Sequence, residues 1–246
     1  EVALPLISYY GTGRLWQEPR NRNIENKLRS MFNQKPVHPF MGYKNSVNPR
    51  CNSQELLWWI TVQEWIKFRE KKESFLYTMV KKAILECIEG GEDIAFMPES
   101  IEVMILIEKQ EWQAFSNLSD GQRNIFAMIG DIAYKAATLN KHLGEKALKE
   151  TTGVVLIDEL DLHLHPIWQR HIIEDLRRTF PKIQFFATTH SPFLIQSLRS
   201  GEELVMLEGQ PTDSLANLSI EMIATGIMGV ENIDASSRYM QMLSAA

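Results

Sequence analysis

The sequence has little of what marks secreted and membrane-spanning proteins. Its 246 residues include two cysteines, Cys51 and Cys87, too few for a disulfide scaffold and typical of a reducing compartment. No apolar run approaches the roughly 20 residues of a membrane-spanning helix, and the acidic, polar start is not a signal peptide. The net charge is −5, so the chain as a whole is not built to bind a polyanion. We therefore expect a cytoplasmic globular protein with no membrane partner.

One short apolar run carries most of the information. Val154 to Ile157 runs straight into two carboxylates, Asp158 and Glu159. A run of this kind predicts a strand buried on both faces at the centre of a parallel sheet. Two acids at its end would be costly unless they face a site, and sites of open α/β sheets lie at the carboxyl ends of strands. The alternative is a strand that simply leaves the core for solvent at Asp158.

A helix and a second strand follow this run. Residues 167–180 carry apolar side chains at helical spacing, and residues 183–189 predict another buried strand that ends just before His190. Strand, helix and strand at this spacing predict a right-handed βαβ unit with parallel strands. We therefore expect Asp158, Glu159 and His190 at one edge of the sheet, where carboxylates and an imidazole together form a reactive constellation.

A second candidate site lies at a predicted helix start. Ser119 stands just before a long apolar stripe, residues 125–137, as an N-cap residue with Asp120 in the first turn. The serine hydroxyl, the amides around Gly121 and the positive helix end predict an anion site. Gly121 would let a phosphate approach the backbone. An ordinary capped helix without a ligand is the alternative.

The remaining segments predict two further strands and a helical region. Val2 to Tyr10 predicts a strand, and in the turn after it Arg14 either faces an anion or simply belongs to the turn. Residues 53–88 have a helical pattern whose basic outer face favours a solvated surface over a nucleic-acid contact. Residues 101–107 and 204–207 predict strands.

These segments together resemble a known family. Leu118-Ser119-Asp120-Gly121-Gln122 resembles the signature motif of ABC-type ATPases, and Val154 to Glu159 resembles a Walker B strand with its catalytic glutamate. Leu160-Asp161 resembles the D-loop, and His190 resembles the switch histidine. Two longer strings, Leu156 to Pro166 and Ala187 to Pro192, resemble the branch of these ATPases that includes the RecF, SMC, Rad50 and OLD families. Within it, the stretch from Tyr9 to Trp16 resembles ATPases of the Septu and retron anti-phage systems.

The resemblance implies a fold and a division of the chain. The fold would be α/β, an ABC-ATPase-like (P-loop NTPase) parallel sheet flanked by helices, with a helical insertion subdomain. Residues 1–20 would belong to the ATPase core and residues 21–100 to the helical insertion. Residues 101–208 would form the core with the signature, Walker B and switch histidine, and residues 209–246 a C-terminal helical tail.

One expected motif of this family does not occur in the chain. The phosphate loop, Gly-x-x-x-x-Gly-Lys-Ser/Thr, is absent from the sequence, and the family carries it near the amino end. We therefore expect that an amino-terminal piece with this loop precedes the chain. A degenerate ATPase that serves as a scaffold is the alternative, and the intact Asp158, Glu159 and His190 argue against it.

The resemblance also implies ATP and Mg²⁺ as cofactors, with a role for each motif residue. Asp158 would hold Mg²⁺, Glu159 would polarise the attacking water, and His190 would contact the γ-phosphate. Asp161 would couple two sites across a dimer. The ATP held by the partner subunit would be bound by the signature residues, namely Leu118, Ser119, Asp120, Gly121 and Gln122.

A competing site uses some of the same residues. Asp158, Asp161, His163 and His165 are residue types that ligate transition metals. A His-x-His pair on a turn before a proline is more often structural, so the sequence favours the nucleotide interpretation over a dedicated metal site.

Two functions follow from the resemblance. The first is an ATP-hydrolysing ATPase that works as a homodimer, or a higher even oligomer, and regulates a partner effector nuclease of the HNH type in anti-phage defence. DNA or reverse-transcribed nucleic acid is a further candidate partner. The alternative is a RecF- or SMC-like ATPase of DNA repair or chromosome handling that binds DNA directly. The chain lacks sustained heptads before the signature motif, which favours the first function.

Overall fold

The computed structural model describes residues 2–15, 38–49, 53–88, 90–97, 102–107, 111–199, 203–206 and 218–230. These residues fall into two compact units. The first contains Glu1–Leu164 and Asp175–Thr188, and the second contains His165–Glu174 and Thr189–Ala246. Residues 16–37 of the predicted core and insertion, and residues 231–246 of the predicted tail, lie outside the described residues.

The described residues form six strands and seven α-helices. In order they are β1 (Leu6–Tyr10), α1 (Ser53–Glu70), α2 (Phe75–Cys87), β2 (Gly91–Met97), β3 (Glu102–Ile107), β4 (Gln113–Ala114), α3 (Asp120–Leu139), α4 (Ala147–Glu150), β5 (Gly153–Ile157), α5 (Pro166–Thr179), β6 (Ile183–Ala187), α6 (Pro192–Gln196) and α7 (Ile220–Gly226). Short 3₁₀ helices are Thr12–Leu15, Pro39–Tyr43, Phe115–Asn117 and Lys141–Lys146.

A parallel sheet in the order β1-β5-β6 forms the centre of the first unit. β5 pairs in parallel with both neighbours, so the predicted parallel sheet with the Val154–Ile157 run in its central strand is confirmed. The prediction that this strand is buried on both faces is wrong. Val155 and Ile157 are buried, but Leu156 between them is 44% exposed. On β1, Ile7 is 51% exposed in the same way.

The buried face of the sheet is covered by α3. The Tyr10 hydroxyl donates to Asp131 at 2.7 Å, and the buried Lys135 ammonium donates to the Ser8 hydroxyl at 2.9 Å and pairs with Asp131 at 2.7 Å. The lysine charge is therefore matched inside the fold, as a buried charge must be. These bonds fix the register of α3 on β1, and through it the position of the helix start.

The predicted helical stretch 53–88 is two helices. Lys71 has a positive φ of 54°, and Ser74 caps α2 by accepting a hydrogen bond from the Tyr77 amide. A charged, capped turn therefore interrupts what the sequence pattern presented as one helix. The sequence also did not predict β2, which pairs antiparallel with β3 beside these helices.

The core of this helical region is apolar and closed to solvent. Tyr77, Ile84 and Ile94 are fully buried, and Cys87 is 2% exposed. Burial raises the pKa of the Cys87 thiol to about 12 and also raises the pKa of Tyr77. Both groups therefore stay neutral at ordinary pH.

The second unit has a small apolar core. Ser191 caps α6 by accepting hydrogen bonds from two helix amides, and Ile195 and Ile223 form a small apolar cluster between α6 and α7. The predicted strand 204–207 is wrong in its described part, because residues 204–206 form no strand. Among the described residues of the chain, no helix has both the length and the apolar character needed to cross a bilayer.

Candidate functional site

The carboxyl ends of the three parallel strands meet at one edge. Tyr10, Ile157 and Ala187 are register partners, so the residues that follow each of them are neighbours. Asp158 and Glu159 follow β5, and Thr188 follows β6. The predicted delivery of polar side chains from both strands to the same edge is therefore observed for these three residues.

Thr188 joins the two acids. Its hydroxyl donates to Asp158 Oδ1 at 2.7 Å and accepts the Glu159 amide at 2.8 Å. The Thr188 carbonyl also accepts the Leu160 amide at 2.9 Å. One threonine thus orients a carboxylate and fixes the backbone on both sides of Glu159. The sequence showed that Thr188 lies at a strand end, but it gave no signal that the hydroxyl would lie between the two acids.

The backbone after β5 takes an uncommon path. Glu159 has a φ of 50° and His163 a φ of 60°, both in the left-handed region that few residues other than glycine adopt. Buried Leu160 and Leu164 anchor the turn on the core. Asp161, the predicted coupling residue, is half-buried within this turn. The turn therefore presents its polar side chains outward from an apolar base.

The predicted start of α3 is confirmed. The Ser119 hydroxyl accepts the Gln122 amide at 3.3 Å, and Gln122 Oε1 accepts the Ser119 amide at 2.9 Å, which makes a complete capping box. Leu118 is buried beneath it, while Ser119 and Asp120 are exposed. The serine hydroxyl thus has a structural role in the capped helix, whether or not an anion also binds there.

Gly121 has a close neighbour inside the chain. A Cβ built at this position would lie 2.2 Å from the carbonyl oxygen of His163 and 3.2 Å from the Cα of Leu164. The space that a side chain would fill at Gly121 is therefore occupied by the turn after β5, which packs directly on the first turn of α3. The predicted approach of a phosphate to Gly121 stays a prediction.

Arg14 is built into the same edge. Its side chain is 3% exposed, and it donates to the carbonyls of Asp158 and Glu159 at 2.5 and 2.6 Å. The interpretation of Arg14 as part of the turn after β1 is confirmed, because it lies in the 3₁₀ turn Thr12–Leu15, and its contact with an anion stays a prediction. The sequence gave no signal for the bonds to Asp158 and Glu159, because these acceptors are backbone oxygens more than a hundred positions away.

The remaining predicted residues are less closely assembled. His190 is exposed and belongs to the second unit, so its convergence with Glu159 stays a prediction. Among the described residues, no group of three or more His, Cys, Asp or Glu side chains is arranged to hold a metal ion. Asp158, Asp161, His163 and His165 are therefore not brought together as the competing transition-metal site requires.

The chain is similar to known proteins in sequence and in fold. A family model described as "AAA domain, putative AbiEii toxin, Type IV TA system" matches residues 14–196. The chain is 41% identical to the Retron Vc95 probable ATPase of Vibrio cholerae serotype O1 biovar El Tor over 105 residues, covering 43% of this chain and 20% of that protein. It is 30% identical to the Septu protein PtuA of Bacillus mycoides (strain KBAB4) over 215 residues, covering 85% of this chain and 26% of that protein.

Among solved structures, the chain is similar to the SMC head domain from Thermotoga maritima, with a TM-score of 0.37 and 15% identity, over 56% of this chain and 46% of that chain. The chain spans a third or less of the length of the curated relatives it matches. The predicted resemblance to ATPases of Septu and retron systems is confirmed by these relatives. Since the family model covers most of the chain, including every motif from Leu118 to His190, the chain belongs to this AAA domain family.

Proposed function

We propose that the protein is an ATPase that binds and hydrolyses ATP as a nucleotide-dependent dimer and regulates a partner effector nuclease in anti-phage defence. The observation that carries the proposal is the Thr188 hydroxyl between the Asp158 carboxylate and the Glu159 amide, at the carboxyl edge of a parallel sheet. Ligand sites of α/β sheets lie at such edges. A strand exit into solvent would need no hydroxyl that bridges the carboxylate of one residue and the amide of the next.

Asp158 and Thr188 fit a Mg²⁺ ion held with ATP. Their oxygens lie 2.7 Å apart, and carboxylate and hydroxyl oxygens are the hard ligands that Mg²⁺ prefers. In phosphoryl-transfer sites this ion takes only one or two protein oxygens beside water and phosphate, and when bound it neutralises phosphate charge. The pair therefore does not need a dedicated cage of acids, and none is found among the described residues.

Glu159 would accept a hydrogen bond from the attacking water and orient it. Its backbone is fixed at both ends by the bonds described above, and its side chain is half-exposed at the sheet edge. In phosphoryl transfer the protein mainly positions groups and stabilises charge, so such a fixed carboxylate suits the role. His190, three residues beyond the end of β6, would contact the γ-phosphate.

The signature motif would act on the nucleotide of the partner subunit. Ser119 and Asp120 are exposed at the amino end of the 20-residue helix α3, where the helix dipole favours anions. Gly121 ties this helix start to the turn that contains Asp161. A homodimer in which the signature of one chain completes the site of the other would therefore connect occupancy of one nucleotide with the geometry of the next.

The wider role rests on the relatives. They are named as ATPases of retrons and as Septu proteins, and both names support a place in a defence system. We propose an HNH-type nuclease as the partner, and residues 209–246 as the tail of this chain on which it docks. The ATPase core would consist of residues 1–20 and 101–208, with residues 21–100 as an insertion between them. Salt-dependent DNA binding by the ATPase alone would instead favour the repair or chromosome-handling function.

The test uses the protein at its natural length. Glu159→Gln keeps the size of the side chain but removes its negative charge, so ATP hydrolysis should fall by at least about 100-fold while nucleotide-dependent dimers still form. Hydrolysis is measured as phosphate release, and dimers by light scattering with and without ATP. Glu145→Gln, at an exposed glutamate of the 3₁₀ helix Lys141–Lys146, is the matched control. Unchanged hydrolysis in Glu159→Gln would remove this glutamate from the mechanism.

A further inference from the structure

Arg14 is a buried cation that the proposed reaction does not use directly. It lies in the 3₁₀ turn Thr12–Leu15 that follows β1, and only 3% of the residue is exposed. Burying a guanidinium is costly unless its N–H groups are hydrogen-bonded.

Its bonds converge on the backbone after β5. Nη1 donates to the Asp158 carbonyl at 2.5 Å, and Nη2 donates to the Glu159 carbonyl at 2.6 Å. Nη1 also donates to the Gly11 carbonyl of its own turn at 3.1 Å. The guanidinium is a rigid planar fork, so two donors on separate nitrogens fix the relative positions of two successive carbonyls. A lysine ammonium, with one nitrogen on a flexible chain, cannot reproduce this geometry.

The residue held in this way is under conformational strain. Glu159 has a φ of 50°, which is unfavourable for a glutamate and persists only where the surroundings over-determine it. Its amide donates to the Thr188 hydroxyl, and its carbonyl accepts from Arg14 and from the Leu162 amide at 3.0 Å. Both peptide groups of Glu159 are therefore fixed, and Arg14 holds the carbonyl side.

The fourth bond of Arg14 reaches α3. Nε donates to Asn124 Oδ1 at 2.9 Å, and Asn124 is buried one turn after the capping box. The Asn124 Nδ2 atom has no hydrogen-bond partner among the described residues, so the amide is oriented for Arg14 alone. Arg14 thus links the helix that carries the signature motif to the two acids after β5.

We propose that Arg14 is a positioning residue of the hydrolytic site, which holds Glu159 in its left-handed conformation and ties it to the signature helix. The inference rests on the proposed function, because it assigns Glu159 the orientation of the attacking water. Arg14 itself touches neither nucleotide nor water in this scheme. Its loss should therefore lower kcat through Glu159 and leave the binding of ATP nearly unchanged.

The experiment is a double-mutant cycle in the protein at its natural length. Arg14→Lys keeps the charge and loses the fork, and it is combined with Glu159→Gln. Single-turnover ATP hydrolysis, KM and nucleotide binding are measured for both single variants and the double variant. Arg69→Lys, at an exposed arginine of α1, is the matched control. Thermal unfolding of each variant reports whether it remains folded.

The expected result is a fall in kcat of about 10- to 100-fold in Arg14→Lys, the range for a misplaced catalytic group, with KM changed by less than about threefold. In the Glu159→Gln background, Arg14→Lys should cause no further loss, because the group it positions is already disabled. Unchanged kcat in Arg14→Lys, or the same loss in both backgrounds, would overturn the proposal while leaving the ATPase function intact. Full activity of Glu159→Gln alone would instead overturn the function assigned to Glu159.

A second variant covers the case in which Arg14→Lys does not fold. Asn124→Leu removes only the acceptor of Arg14 Nε, so Arg14 keeps its charge and its carbonyl bonds but loses one anchor. The expected loss in kcat is smaller, about three- to tenfold, with KM unchanged and with no further loss in Glu159→Gln. Normal kcat in folded Asn124→Leu, with Arg14→Lys unfolded, would mean that Arg14 serves the fold alone.

Discussion

The turn after β5 and the packed region of α2 and β2 are held by opposite means. In the turn, Glu159 and His163 adopt left-handed backbone angles, and hydrogen bonds from Arg14 and Thr188 hold the chain there. In α2 and β2, Ile84 and Ile94 are fully buried in ordinary secondary structure. The first region gains precision from polar bonds, and the second gains stability from apolar burial.

This difference teaches where each kind of damage should appear. Truncating a core side chain removes the free energy of its burial and leaves a cavity, so it lowers stability even when the side chain is far from the proposed site. A disturbed turn loses the geometry of a few groups, which changes the rate far more than the free energy of unfolding. If damage in one region does not reach the other, a core substitution lowers stability without changing turnover, and a substitution in the turn does the reverse.

The largest effect is expected in the packed region. Ile84→Ala should lower the free energy of unfolding by about 2–5 kcal/mol, because it removes fully buried methyl groups beside α3. Urea unfolding measures the change, and ATP turnover per folded molecule should be that of the wild type. Val47→Ala, at a residue 79% exposed, is the control and should cost less than about 0.5 kcal/mol. A loss of turnover in folded Ile84→Ala would break the separation of the two regions.

The next effect is expected where the turn meets α3. Gly121→Ala places a methyl group 2.2 Å from the His163 carbonyl, and backbone on both sides cannot yield cheaply. Turnover should fall by about 100-fold, since a shift of about 1 Å at the turn displaces the acids before it. Gly226→Ala is the matched control, because nothing lies within 4 Å of its added Cβ. Normal turnover in Gly121→Ala would show that the turn does not transmit its position to the site.

The smallest effect is expected from one hydroxyl. Thr188→Val keeps the shape of the side chain but removes the bonds to Asp158 and Glu159, so turnover should fall by about tenfold. Thr188→Ser keeps the hydroxyl and should retain most of the activity. Phosphate release at saturating ATP separates the two variants. Equal activity of the valine and serine variants would mean that shape, and not hydrogen bonding, matters at the end of β6.

The sequence predicted the elements that depend on neighbouring residues. The central strand, its two acids and the N-cap residue Ser119 follow from local patterns, and all three are observed. The break at Lys71 was missed because apolar residues continue at helical spacing on both sides of it. The bonds from Arg14 to the turn after β5 could not be assigned, because the Asp158 and Glu159 acceptors lie far away in the chain and are backbone atoms that any residue supplies.

The exposure of the central strand was missed for a different reason. A continuous apolar run predicts burial on both faces, yet Leu156 is 44% exposed while Val155 is fully buried. Among the described residues, α3 covers only the face that carries Ser8 and Tyr10. An apolar sequence predicts that a strand is buried, but it does not predict which segment of the chain packs on each face of the sheet.

The order of the parallel sheet has a consequence for how the molecule folds. Arg14 and Asp158 are 144 positions apart, yet they share a hydrogen bond, and β1 finds its only described partner in β5. Contacts between such distant segments form slowly, because the loop between them must close, at a cost in entropy, before the strand pairing can stabilise the chain. We expect the local helical region to gain structure early and the carboxyl edge of the β1-β5-β6 sheet to assemble late. A nascent chain would then contain its helices before the proposed site is assembled, and a partly unfolded chain would lose the site before it loses its helices.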